Sequence, residues 1–173
     1  MTKESLPKSA MERFSLNNRV AVITGGAGKL GVHHAEAIME AGGSVVLLDI
    51  NVEKLRLACE KLSMNFQGIP IKGVTCDITD PKQVENARDQ VLEKFGRIDI
   101  LINNAANNPH VGDDAGDQKK QNFSRLEEFP LALWQKDLDV GLTGAFLCSK
   151  IFGPIIAKQN KGVILNISSD LFA

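Results

Sequence analysis

The sequence contains no tyrosine, one tryptophan and only three cysteines among its 173 residues. Cys59, Cys76 and Cys148 stand too far apart for metal-ligand spacing and do not make an even disulfide set. They are expected as small buried residues in a reducing cytoplasm. No excess of one charge exists either, with 20 lysines and arginines against 21 aspartates and glutamates. That balance, without basic runs interleaved with aromatics, excludes a nucleic-acid binder. No uninterrupted apolar run approaches the ~20 residues of a membrane span, so no membrane partner is expected. The first 18 residues, MTKESLPKSAMERFSLNN, lack the apolar core of a signal peptide. No metal site is expected. His33 and His34 are adjacent on a helix and so diverge. The acidic cluster from Asp113 to Asp117 has Ser124 where a calcium loop needs its glutamate.

What remains is a regular alternation. After a polar segment (1–18), residues 19–173 read as one domain of short β-branched runs separated by amphipathic stretches. RVAVIT (19–24), SVVLLD (44–49), IPIKGVTCD (69–77), IDILIN (98–103) and GVILNIS (162–168) are strand candidates. Helices are expected over 29–43, from Asn51 to about Leu62, and after the cap Asp80-Pro81. In the last of these Val84, Ala87, Val91, Leu92 and Phe95 form one apolar stripe. Leu131 to Lys158 is apolar almost all round, which predicts a helix buried on several sides, with Trp134 packed against the sheet. Strand and helix repeated in this way predict an α/β fold, a parallel sheet with helices on both faces. Residues 107–129 are polar and long for a connection; a lid and an unstructured insertion both fit, and His110 within it faces either substrate or solvent.

The stretch TGGAGKLG (24–31) decides the chemistry. An ATP-type loop needs G-x-x-x-x-G-K-[ST], but Ile23 stands at its first glycine and Leu30 at its hydroxyl. A dinucleotide turn needs a strand, a glycine turn, a helix N-terminus and an acid ending the second strand. All four are present, the acid being Asp49, 18 residues after Gly31. A carboxylate there accepts ribose hydroxyls and disfavours a 2′-phosphate, so NAD is expected over NADP.

These residues resemble the short-chain dehydrogenase/reductase family. Thr24-Gly25 with Gly31 fits its T-G-x-x-x-G-x-G turn, Asp77 in CDITD its adenine-pocket acid, and Asn103-Asn104-Ala105-Ala106 its N-N-A-G segment. LNISSD (165–170) resembles the strand that ends in the catalytic serine, here Ser169. The resemblance implies a Rossmann-type, doubly wound three-layer sheet of order 3-2-1-4-5. It also implies a cofactor site of Thr24, Gly25, Gly28, Lys29, Leu30, Gly31, Asp49, Ile50, Asp77, Ile78, Asn103 and Ala105. The implied activity is NAD-dependent hydride transfer between a small-molecule alcohol and a ketone. VGLTGAFLCSK and NISSDL resemble bacterial members linked to sugar or surface-glycan metabolism.

Three departures qualify this. Lys29 occupies a glycine position of the turn, with Gly28 one residue earlier able to take over the close approach; the lysine either reaches the pyrophosphate or points to solvent. Gly141 stands where the family places an asparagine of its proton relay, and close packing beside Gly144 is one reading of it. The Y-x-x-x-K acid/base pair is missing, since the sequence has no tyrosine and stops four residues after Ser169. A fragment of a longer enzyme, impaired on its own, is therefore expected; a non-catalytic nucleotide- or partner-binding module and a site completed by another chain are the alternatives. The uncovered fifth strand and long helix predict a homo-oligomer.

Overall fold

The apolar runs become five parallel strands because each is buried on both faces or paired along its length. In this computed structural model, which describes residues 9–107, 127 and 129–168, the strands are β1 (Val20–Thr24), β2 (Ser44–Asp49), β3 (Ile71–Thr75), β4 (Ile100–Asn103) and β5 (Val163–Asn166). Their order is β3-β2-β1-β4-β5 and every pairing is parallel. Six helices are described: α1 (Ala10–Phe14), α2 (Lys29–Glu40), α3 (Val52–Asn65), α4 (Pro81–Phe95), α5 (Leu131–Leu138) and α6 (Ala145–Lys158). A π-helical turn, Asp139–Gly144, joins the last two. Side chains alternate across the sheet. Ala21, Ile23, Val45 and Leu47 pack under α2 and α3 with Met39, Leu55 and Leu62. Val22, Val46, Leu48 and Leu101 pack on the other face with Val84, Val91 and Phe152 of α4 and α6. The doubly wound three-layer sheet expected from the sequence is thus the observed architecture.

Helix starts follow their caps. Asn51 accepts the Lys54 amide at 2.9 Å, and Asp80 accepts the Lys82 amide at 2.9 Å ahead of Pro81. α3 runs about one turn beyond Leu62; β2 matches its apolar run from Ser44 to Asp49, and the other four strands are shorter than theirs. Residues 98–99 precede β4 because Asp99 serves another purpose. Its carboxylate, 1% exposed, accepts from Arg19 Nη1 (2.8 Å), the Val20 amide (2.9 Å), and Arg97 Nε and Nη2 (2.8 and 2.7 Å). Burial raises its pKa, but the bonds from Arg97, Arg19 and Val20 outweigh this and hold it below the ordinary carboxylate value. A depressed folded pKa stabilises above the unfolded value of about 3.9 and ceases to do so as pH falls through the folded one. Asp99→Asn is accordingly expected to cost about 3 kcal/mol at pH 7. In urea unfolding the gap to wild type should shrink toward pH 3; a gap independent of pH would show that the charge is not what matters.

Two expectations need correction. The segment from Leu131 to Lys158 is helical throughout, but it is not buried on several sides. None of α5's residues is buried, and Trp134, 51% exposed, does not pack against the sheet. Gly144, Cys148, Phe152 and Ile156 are buried along the inner face, with Val140, Ile151 and Ile155 packed beside them, while Leu131, Leu142 and Phe146 lie outward where no described element covers them. All-round apolar composition therefore marked a helix with one covered side and one bare one. By length and composition this helix is also long and apolar enough to cross a membrane, unlike the uninterrupted apolar runs. Here its inner stripe packs on β4, β5 and α4.

The two sheet edges differ. Along β3, Lys94 Nζ donates to the Ile71 carbonyl at 2.8 Å. Along β5, Val163, Ile164 and Leu165 are exposed, in keeping with the bare edge expected from the sequence.

Candidate cofactor site

The carboxyl ends of the strands gather the singled-out residues, as a doubly wound sheet dictates. Thr24 ends β1, Asp49 ends β2, Asn103 ends β4, and Asp77 lies two residues past β3. Thr24, 1% exposed, clamps two strands together. Its Oγ1 accepts the amides of Asn104 and Ala105, both at 3.0 Å, and Asn104 Nδ2 donates to the carbonyls of Thr24 (2.9 Å) and Gly25 (3.2 Å). Thr24→Val keeps the shape but strands two amides. A loss of about 2 kcal/mol is expected by denaturant unfolding; a change under about 0.5 kcal/mol would remove the clamp from the account.

The glycine turn follows. Gly25 adopts φ +60°, and a Cβ there would sit 2.9 Å from the Ala105 Cα. A Cβ on Gly31 would strike the Gly25 carbonyl oxygen and lie 2.8 Å from the Gly26 Cα. Gly28 is different: it caps α2 at φ −73°, and an added Cβ meets only the Gly25 carbonyl oxygen, at 3.2 Å. Its missing side chain therefore opens space outside the turn. Beyond it, the amides of Lys29, Leu30 and Gly31 have no acceptor among the described residues, no side chain caps the helix, and no acid sits in its first turn. A helix start left this way offers its amides and its positive dipole end to an anion. Lys29 and Leu30 are exposed, and Lys29 makes no ion pair among the described residues.

Asp49 stands beside this turn. Its Oδ2 accepts the Ala27 amide at 3.0 Å and its Oδ1 the Asn51 amide at 2.9 Å, which fixes the carboxylate between the turn and α3. Ile50 next to it is exposed. Asp77 Oδ1 accepts from the Thr79 amide (2.9 Å) and hydroxyl (2.7 Å). Ile78 is buried in the core, with a side chain that fills the space a Cβ on Gly144 would need. Close packing thus belongs to Gly144, not Gly141, whose added Cβ would meet open space. Ala105 is half-buried against the turn. Asn103 turns its side chain inward: Nδ2 donates to Asn166 Oδ1 (2.8 Å) and Ser149 Oγ (3.1 Å), while Oδ1 is buried without a partner. Burial pushes the Cys76 thiol up to about 11 and the Cys148 thiol to about 12, which makes both inert core residues.

Ser169 lies outside the described residues, as do His110 and the Asp113–Asp117 cluster. His33 is exposed and bonded to Glu36 at 2.8 Å; His34 is half-buried with an unpartnered Nε2. Among the described residues no cluster of metal-ligating side chains occurs. Sequence reasoning missed Gly26, where a Cβ would fall 2.7 Å from the Leu47 Cβ, and the structural weight of Asn104; their signals were the Gly-Gly and Asn-Asn pairs. It gave no hint of Ser149.

A strand, a turn with free amides and an acid ending the second strand fit a dinucleotide, and the family match agrees with that geometry. The model of the short chain dehydrogenase family matches residues 19–171. The chain belongs to that family. It is 32% identical over 163 residues to the short chain dehydrogenase/reductase dpmpG of Macrophomina phaseolina, covering 93% of this chain and 86% of the relative. Among solved structures it resembles an NAD⁺-bound xylitol dehydrogenase (TM-score 0.72, 28% identity, 86% of this chain and 52% of that one). It also resembles the L-sorbose reductase of Gluconobacter frateurii, complexed with NADPH and L-sorbose (TM-score 0.72, 25% identity, 87% and 52%). The chain thus spans about half the length of these solved enzymes.

Proposed function

We propose that this chain holds NAD for an oxidoreductase that moves hydride between a small-molecule alcohol and a ketone. The observation that carries the reading is the set of free amides opening α2 with the fixed carboxylate of Asp49 beside them. The amides of Lys29, Leu30 and Gly31 would hold the pyrophosphate, and Asp49 would accept the ribose hydroxyls. Gly25, Gly28, Asp77, Ile50 and Ala105 would shape the rest of the adenosine half. When bound, the nicotinamide supplies hydride acceptance or donation. The family is one of oxidoreductases, but its solved members bind NAD⁺ in one case and NADPH in another, so the preference for NAD rests on Asp49. The xylitol and sorbose enzymes support a polyol or ketose as substrate.

Ser169 would polarise the substrate carbonyl. No tyrosine exists in these residues to act as the family's general acid/base. Loss of a positioned acid/base costs about 10²- to 10⁴-fold. Spectrophotometric assay of the purified chain with NAD and xylitol or sorbitol should therefore give turnover at least 100-fold below a full-length xylitol dehydrogenase. Comparable turnover would overturn that part of the reading. The same absence favours a second reading, a nucleotide-binding module without catalysis. We also propose a homo-oligomer, supported by the bare apolar side of α5 and α6 and the open β5 edge, and a cytoplasmic location, supported by three free cysteines.

A further inference from the structure

The two sheet edges leave different backbone groups free. On β3 the outward carbonyl of Ile71 is taken by Lys94 Nζ at 2.8 Å. On β5 the Val163 amide donates to the Asp99 carbonyl at 3.0 Å and the Ile167 amide to the Asn103 carbonyl at 2.9 Å. The odd-numbered residues of β5 thus turn their backbone toward β4. Backbone direction alternates along a strand, so Ile164 and Asn166 present N–H and C=O to the open side, where no described strand pairs with them.

The side chains sort in the same way. Ile164 lies against α6, its Cδ1 3.5 Å from where a Cβ on Gly153 would stand. Val163 and Leu165 are on the opposite face, in register with Ile100 and Ile102 of β4, and Ile167 continues that stripe. The three are 51%, 46% and 37% exposed.

We propose that β5 pairs antiparallel with β5 of a second copy, about a two-fold axis at Leu165, joining two five-stranded sheets into one. The proposal rests on the homo-oligomer reading and specifies its contact. Only even-numbered residues can form the hydrogen-bonded pairs across this joint. In the register chosen, Ile164 exchanges both bonds with the partner's Asn166, and Asn166 both with the partner's Ile164. Leu165 then meets the partner's Leu165, and Val163 the partner's Ile167, at the closely spaced positions between bonded pairs. Every bare apolar side chain of the stripe finds an apolar one. A shift by two residues in one direction sets Ile167 against Lys161; in the other it leaves Val163 without an apolar partner. A stripe that matches itself this way suits a second copy better than an unrelated strand.

The charges allow the same pairing. No charged residue occurs from Gly162 to Ser168, so no like charges oppose each other across the joint. The antiparallel arrangement also keeps the two copies of Lys161 about 26 Å apart, beyond the ~10 Å screening length. Four bonds correspond to roughly 400–800 Å² of interface, below the ~1,200 Å² of a stable complex. The dimer is therefore weak, with a Kd of about 10–100 μM.

The test is sedimentation velocity of the whole chain from about 1 to 300 μM, beside Leu165→Lys. Leu165 is exposed, so the introduced ammonium stays solvated in the monomer, and thermal unfolding of the variant checks that it folds. Oxidative cross-linking of Leu165→Cys and Val163→Cys reads the register, with the unsubstituted chain as background. Concentration-dependent dimers are expected, weakened at least tenfold by Leu165→Lys. Leu165→Cys should cross-link and Val163→Cys should not, because only Leu165 faces its own counterpart. A monomer at every concentration would overturn both this proposal and the oligomer reading. An oligomer that Leu165→Lys leaves intact, or that Leu165→Cys does not cross-link, would overturn the β5 pairing alone and move the contact to the α5–α6 side.

Discussion

Alanine at Gly28 is expected to weaken NAD binding at least tenfold while leaving stability within about 0.5 kcal/mol. Alanine at Gly31 should remove both. The difference follows from what each Cβ meets. At Gly31 it strikes the backbone of Gly25 and Gly26, atoms that cannot move without opening the turn between β1 and α2. Overpacking against backbone costs about 1–3 kcal/mol or more. At Gly28 it meets only the Gly25 carbonyl oxygen, at 3.2 Å, and otherwise enters the space before the free amides of α2. A ligand whose pyrophosphate sits on those amides loses its close approach; the protein itself has one tight contact to relax, by a few tenths of an ångström. Fluorescence titration with NAD and urea unfolding on the same two variants read the effects separately. Unaltered NAD affinity in Gly28→Ala would mean that the dinucleotide does not approach the turn there.

The second large effect concerns Asp49. Asp49→Asn is expected to shift the ratio of NAD to NADP affinity toward NADP by about 100-fold. The substitution removes an acceptor for the ribose hydroxyls and a charge that repels a 2′-phosphate. It carries a structural cost of about 1 kcal/mol, because an amide side chain cannot accept at both ends from Ala27 and Asn51. The affinity ratio cancels that cost, since it bears equally on both cofactors. A ratio unchanged by the substitution would take cofactor choice away from Asp49.

Much of this architecture is legible in the order of the residues alone. Continuous β-branched runs such as VAVIT and VVLL admit few states other than central parallel strands, and Asn51 and Asp80-Pro81 announce helix starts through their own hydrogen bonds. The site is legible where backbone geometry demands a residue type, as at Gly25 and Gly31. Gly28 belongs to the same motif, but its place in the structure is physically different from theirs: it leaves room outward, not inward. What the sequence could not reveal depends on distant partners. Asn103 looks like a site residue because it ends a strand beside the turn, yet its side chain joins Ser149 of α6 and Asn166 of β5. Likewise Trp134 and Phe146 are apolar whether or not anything covers them, so composition alone could not tell the bare face of the long helix from its packed one.

The central claim is that the turn and Asp49 hold NAD even without the family's tyrosine. Calorimetric competition between NAD and NADP on the unsubstituted chain tests it most directly. Saturable NAD binding, tighter than that of NADP, is the expected result; no NAD binding, or tighter binding of NADP, would contradict it.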